Sequence, residues 1–290
     1  MARSTSRVPV AKTYKIYIDG KFPRTESGRY FTIEDDDGDV IANICRGSRK
    51  DFRNAVVAAR KAFAGWSSAS AYLRGQILYR IAEMLEGRAE QFVAELGLQG
   101  VSKRRAKKEV EASIDRLIHY AGWSDKYQQV FSSVNPVSSS HFNFSLLEPT
   151  GVVAILAPEN SGLLGLVSNI APAIVGGNTT VVLASESQPL TAMSFAEVVH
   201  SSDVPAGVVN ILTGFRQELA GQFASHMDVN AVIYCDADDD LATAIERDAA
   251  GNIKRVVARC GKDWRKSSRL DPYLITDTQE VKTTWHPVGT

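Results

Sequence analysis

From Gly151 onward the chain repeats one unit, a short apolar run followed by a helical segment. The runs are Val152 to Ala157, Thr179 to Leu183, Val208 to Leu212, Ala231 to Cys235 and Val256 to Ala258, and a helical segment follows each of the first four. Strand then helix in series dictates a parallel sheet, because each return to the same end of the sheet needs a long crossover, and such crossovers are right-handed. Helices on both faces bury both sides of every strand, which explains runs that are apolar throughout rather than alternating. The predicted fold is α/β, built on a Rossmann-like parallel sheet.

Three amphipathic helices are predicted ahead of that sheet. Phe52, Val56, Ala59 and Phe63 share one face, and Ser48 with Asp51 three residues on forms a capping-box pattern before them. The second stripe is Leu73, Ile77, Ile81, Leu85 and Phe92; the third is Val110, Ile114, Leu117, Ile118 and Ala121. Lys103, Arg104, Arg105, Lys107 and Lys108 open the third helix, but no aromatic residues interleave with them as base stacking requires, so they read as a solvated face. With Lys+Arg and Asp+Glu both at 33, net charge provides no attraction to nucleic acid or to an anionic membrane. No run approaches the roughly 18 apolar residues of a membrane span. Cys45, Cys235 and Cys260 are odd in number and widely spaced, which suits reduced thiols and no metal site. The expectation is a soluble cytoplasmic chain with a disordered tail over residues 1–13.

Two segments alternate with period two. Phe142, Phe144 and Leu146 alternate with polar residues in a strand near 140–148, and Val281, Thr283 and Trp285 do so in a tail over 279–290. Such edge strands carry unpaired backbone groups that something must cover. Either they pair with each other or they pair across a subunit interface.

The segments Glu148 to Val153, Pro158-Glu159-Asn160, Ala171-Pro172-Ala173, Gly176 to Thr179, Pro205 to Ile211 and Ala250 to Arg255 resemble the front half of an aldehyde dehydrogenase, in order and spacing. Residues 14–262 resemble that family's N-terminal and nucleotide-binding region. Residues 263–278 stand as a short connector where the family has its catalytic domain with the cysteine nucleophile, and Glu280 to Trp285 resembles the tail strand that closes the family's oligomers. Trp123 to Tyr127, with the abrupt run after Lys262, is similar to the second, non-catalytic module of family-sixteen tandem enzymes, here as a free-standing chain.

The resemblance implies a thiolate nucleophile, an amide for the oxyanion, a carboxylate base and a bound NAD or NADP. Asn160 stands at the oxyanion position, but its neighbour Glu159 brings a carboxylate to where negative charge develops, so Asn160 is expected to be vestigial. The base position is Ala258, which cannot act as one. Cys260, near Arg259 and Lys262, is either a small residue at a strand end or a reactive thiol. In the cofactor pocket only Glu186 remains to meet ribose hydroxyls, while Arg216 and Ala220 replace pocket glycines and Asp236 replaces a glycine at a helix start. Asp238, Asp239 and Asp240 follow it. Carboxylates there cap the helix amides themselves and repel a pyrophosphate. No cofactor is expected, or weak binding at best.

These expectations combine into a non-catalytic aldehyde-dehydrogenase-like subunit. It assembles as a homodimer, or as a hetero-oligomer with a full-length aldehyde dehydrogenase, through Phe142, Phe144, Leu146, Val281, Thr283 and Trp285. The alternatives are an NAD(P)-dependent aldehyde oxidoreductase, active alone or in trans, and a small-ligand module using a cleft around Glu159, Arg216 and Arg259.

Overall fold

A computed structural model describes residues 10–34, 38–235, 238–266 and 270–289. The chain opens with strands that the sequence reading did not anticipate: β1 (Lys12–Tyr14), β2 (Tyr30–Glu34) and β3 (Val40–Cys45). They form a small sheet of order β1-β3-β2. The tail expected over 1–13 thus lies outside the described residues up to position 9, and Lys12 and Thr13 are already in a strand.

Helix α1 (Arg49–Ser67) begins at the predicted capping box, with the Ser48 and Asp51 side chains each bonded to the other's backbone N–H. The second predicted stripe is two helices, α2 (Ala71–Glu86) and α3 (Ala89–Leu98), broken at Gly87 and Arg88. Phe92 continues the stripe in phase across the break, which is why periodicity alone joined them. Helix α4 (Lys103–Trp123) carries the third stripe, with Val110, Ile114 and Leu117 buried and Ile118 exposed. After the short α5 (Tyr127–Phe131) come strands β4 (Ser133–Asn135) and β5 (His141–Pro149).

The repeating region follows as β6 (Val152–Leu156), α6 (Leu164–Val175), β7 (Thr179–Leu183), α7 (Pro189–His200), β8 (Val209–Leu212), α8 (Arg216–Ser225), β9 (Ala231–Tyr234), α9 (Asp239–Ala249) and β10 (Arg255–Ala258). The five strands are parallel in the order β10-β9-β6-β7-β8. Alternate residues feed two cores. Val153, Ile155, Val182 and Ile233 pack toward α6 and the helices behind it, and Val152, Ala154, Leu156, Val181 and Val232 pack with Phe52 of α1 and Phe223 of α8. Gly207, at φ +86°, lets the turn before β8 press on α1, since a Cβ there would meet the Ala58 carbonyl at 2.6 Å. The outer edge of β8 is covered by Tyr17, which exchanges two backbone bonds of 2.8 Å with Ile211.

Helix α10 (Tyr273–Thr276) and strand β11 (Gln279–Pro287) end the fold. The described residues of the connector dock on the body: Trp264 and Ile275 are buried in the larger core, and Arg116 and Tyr120 of α4 donate to the Trp264 and Asp271 carbonyls at 3.0 and 3.1 Å. β11 lies antiparallel along all of β5, with Thr283 opposite Ser145, and β4 flanks the other side. Of the two alternatives for these strands, the structure has them pair with each other.

Candidate functional site

In an open α/β sheet, ligands bind beyond the carboxyl ends of the strands where the chain order reverses. Here that point lies between β6 and β9, because the chain runs from β6 outward to β7 and β8 and then returns to the other side of β6. The first residue of α8 fills it. Arg216 donates from Nη1 to the Cys235 carbonyl after β9 at 2.6 Å, and from Nη2 to the Ala157 carbonyl after β6. Its Nε donates to Glu159 at 2.8 Å. One planar guanidinium thereby ties both lips of the crevice to the segment beyond β6, a use of its fixed fork of donors that lysine could not reproduce.

The partner carboxylate is held as firmly. Glu159 accepts from the Ser185 hydroxyl at 2.8 Å and from the N–H groups of Glu186 and Ser187 at 2.9 and 3.1 Å. Burial pushes its carboxyl up, but the Arg216 charge and these donors outweigh burial and hold it below the ordinary glutamate value. Glu186, expected to meet ribose hydroxyls, accepts from the Arg216 N–H at the start of α8. Ala220 is buried in the same helix.

Beside this network lies a cleft of about 710 Å³ lined by Arg46, Glu186, Phe215, Glu218 and Asp238 among others. Arg46 pairs with Glu218 and stacks on the Phe215 ring at 4.7 Å. Asp238 caps α9 by accepting from the Leu241 N–H at 2.8 Å. Asp236 lies outside the described residues. Arg259, expected in the cleft, is instead buried against α6 and the connector, donating to Asn169 at 2.8 Å and pairing with Asp277 at 2.7 Å. Its guanidinium is therefore committed to these buried partners, while Cys260 is exposed.

Asn160 is exposed and lines a separate polar pocket of about 300 Å³ with Arg105, Glu109, Lys262 and Trp264. Glu109, which the sequence did not single out, receives the Ser161 hydroxyl and the Leu163 and Leu164 N–H groups at 3.0, 3.1 and 3.2 Å, so a carboxylate from α4 caps the start of α6. A helix-borne acid reaching another helix leaves no local pattern in sequence. Ala258 is exposed at the end of β10.

Away from the cleft, the β4-β5-β11 sheet exposes Phe142, Leu146, Val281 and Trp285. Its register separates the two expected interface sets. Lys282, Thr284 and His286 stand opposite Leu146, Phe144 and Phe142, whereas Val281, Thr283 and Trp285 stand opposite Leu147, Ser145 and Asn143. Paired residues share a face and neighbours alternate, so the aromatic set of β5 and the set of β11 project from opposite faces.

The sequence profile of the aldehyde dehydrogenase family matches residues 22–263. The chain belongs to the aldehyde dehydrogenase family. It is 32% identical over 280 residues to a mitochondrial benzaldehyde dehydrogenase of Antirrhinum majus, covering 94% of this chain and 50% of that protein. To a cytosolic 10-formyltetrahydrofolate dehydrogenase of Mus musculus it is 30% identical over 265 residues, covering 89% of this chain and 29% of the other. Among solved structures, an NAD+ complex of an aldehyde dehydrogenase from Bacillus cereus superposes with a TM-score of 0.81 at 28% identity, over 86% of this chain and 51% of that one. The chain thus spans about half the length, or less, of these aldehyde dehydrogenase relatives, and its α/β architecture matches about half of theirs. Among the described residues no helix is long and apolar enough to cross a membrane.

Proposed function

We propose that this chain is a non-catalytic member of the aldehyde dehydrogenase family that acts in assembly, with itself or with a full-length aldehyde dehydrogenase. It corresponds to the second module of family-sixteen tandem enzymes, with the catalytic domain replaced by the connector and the oligomerisation strand kept. The observation that carries this reading is Arg216. Its guanidinium stands between the carbonyl ends of β6 and β9, where a dinucleotide bound in such a sheet must approach the backbone. The residues present do not fit that cofactor. Withdrawing Arg216 would remove the counter-charge of Glu159 and a donor from each of two strand-end carbonyls, and the Asp238 cap already takes up an amide that a pyrophosphate would use.

The test is calorimetric titration with NAD+ and NADP+ at millimolar concentration, together with aldehyde-dependent formation of the reduced cofactor. No saturable heat and no turnover are expected. Saturable binding of either dinucleotide, with turnover abolished by Asn160→Ala or Cys260→Ser, overturns the reading in favour of an oxidoreductase. A second reading, a small-ligand module, is favoured by the polar pocket of about 300 Å³ at Asn160, Arg105 and Lys262. A carboxylate such as acetate or succinate that protects the protein thermally, with the protection lost in Lys262→Ala, would support it.

A further inference from the structure

The pocket that Asn160 shares with Arg105 and Lys262 is assembled from the first turns of α4, the segment after β6 and the start of the connector. Gly261, at φ +63°, turns the chain just after β10 and forms part of the pocket wall. The two carboxylates of the pocket are already engaged. Glu109 accepts the Ser161 hydroxyl and the Leu163 and Leu164 N–H groups through Oε1, and Asp263 accepts the backbone N–H and the Nε of Arg265 at 3.2 and 3.1 Å. The side chains left over all carry N–H donors. Among the described residues the side chains of Arg105, Lys262 and Asn160 make no hydrogen bond or ion pair, and the indole N–H of Trp264 is buried without an acceptor.

Trp264 gives the pocket a wall that a surface cluster of charges would not have. The residue is only 2% exposed, and its carbonyl is fixed by Arg116 at 3.0 Å. A buried N–H left unanswered costs the desolvation of that donor, so a pocket-lining indole in this state calls for an acceptor from outside the protein. The cations point the same way. Helix α4 opens with Lys103, Arg104 and Arg105, with no acid in its first turn and no side-chain bond from its cap residue Ser102. Positive charge there opposes the helix dipole, and an anion bound beside Arg105 offsets it.

We infer that this pocket is a binding site for a small phosphate monoester, held by Arg105 and Lys262 with hydrogen bonds from the Asn160 amide and the Trp264 indole. The inference deepens the small-ligand reading above and rests on it. At about 300 Å³ the pocket lies at the small end of ligand sites, with room for a compact anion and not for a dinucleotide. A monoester carries close to two negative charges at neutral pH on three acceptor oxygens, so one group answers both cations and the two further donors together. A single carboxylate brings one charge and two oxygens, and leaves part of the set unanswered. The arginine fork suits either group, so the number of donors decides.

The test is calorimetric titration of the full chain with glycerol 3-phosphate at constant ionic strength, paired with thermal unfolding. Saturable binding with a Kd below about 1 mM is expected. Lys262→Ala and Arg105→Ala should each weaken it about tenfold, the scale of one charge-assisted hydrogen bond. Trp264→Phe, which keeps a ring and removes the N–H, should weaken it by a smaller factor. Lys103→Ala, on the same helix but outside the pocket, should change it less than about twofold, as a solvated charge does at physiological salt. A loss there equal to that of Lys262→Ala would mean diffuse attraction to the basic helix and overturns the inference, as does the absence of saturable binding. Succinate that protects the protein where glycerol 3-phosphate does not overturns the phosphate assignment and leaves the small-ligand reading standing, whereas failure of both ligands sinks the two together. A phosphoserine peptide that binds more than about tenfold tighter than glycerol 3-phosphate overturns the assignment to a free small molecule in favour of a protein-borne group.

Discussion

The carboxyl end of the parallel sheet and the outer edge of β11 are both places where a sheet offers its backbone to something else. The first is closed by the chain's own arginine, which takes the Ala157 and Cys235 carbonyls. The second leaves Val281, Thr283 and Trp285 exposed. One region of the same molecule has its polar groups answered internally, and the other keeps them available. Interior satisfaction should appear as stability, and exterior availability as association.

The largest effect expected is at the closed end. Glu159→Gln leaves the buried Arg216 cation without its counter-charge and should cost about 3 kcal/mol, the lower end for breaking a buried pair because Glu159 is partly solvated. Urea unfolding measures it, and a loss under about 0.5 kcal/mol, typical of a surface change, would mean that the crevice is not held by this pair. Asp277→Asn strips the charge facing buried Arg259 and should cost about 2 kcal/mol, the scale of a hydrogen bond to a charged group; the same unfolding curves report it. A graded loss should accompany acid. The native Glu159 carboxyl lies below the ordinary 4.5, so the stability it provides is complete above that value and disappears as pH falls through the lowered native one. Stability curves from pH 6 downward should show this component in the wild type and not in Glu159→Gln. Smallest in stability is Trp285→Ser on the open edge, expected to change unfolding by less than about 0.5 kcal/mol while sedimentation shows self-association weakened. A large drop in unfolding free energy there would erase the contrast between the two regions.

The parallel sheet was legible because strands buried on both faces have no choice of composition, and Thr179–Leu183 coincides with its predicted run at both ends. The N-terminal sheet was not, since Tyr30–Glu34 is half-exposed along its length and Lys12–Tyr14 is only three residues long. The helix break at Gly87 and Arg88 was hidden by a stripe that stays in phase. Arg216 was singled out as standing where the family resemblance implies a glycine, but its partners are backbone carbonyls brought together by topology, and carbonyls belong to every residue. Arg259 misled for a related reason: adjacency to Cys260 in sequence suggested a shared environment, yet successive strand-end residues point to opposite sides, and its charge is spent on Asp277. β5 and β11 were recognised as strands by their alternation, but β5 is the central strand of its sheet and, of the two, only β11 lies at an edge; the face each set occupies depends on a register that only pairing sets.

Arg216 also changes how the protein answers its surroundings. A domain whose crevice takes a free metabolite gains stability as that metabolite rises and loses it in scarcity, through mass action. An occupant attached through the backbone has an effective concentration fixed by the chain itself, and no cellular fluctuation can dilute it. On the proposed reading, in which no dinucleotide binds, the folded population of this molecule is uncoupled from the nucleotide pool.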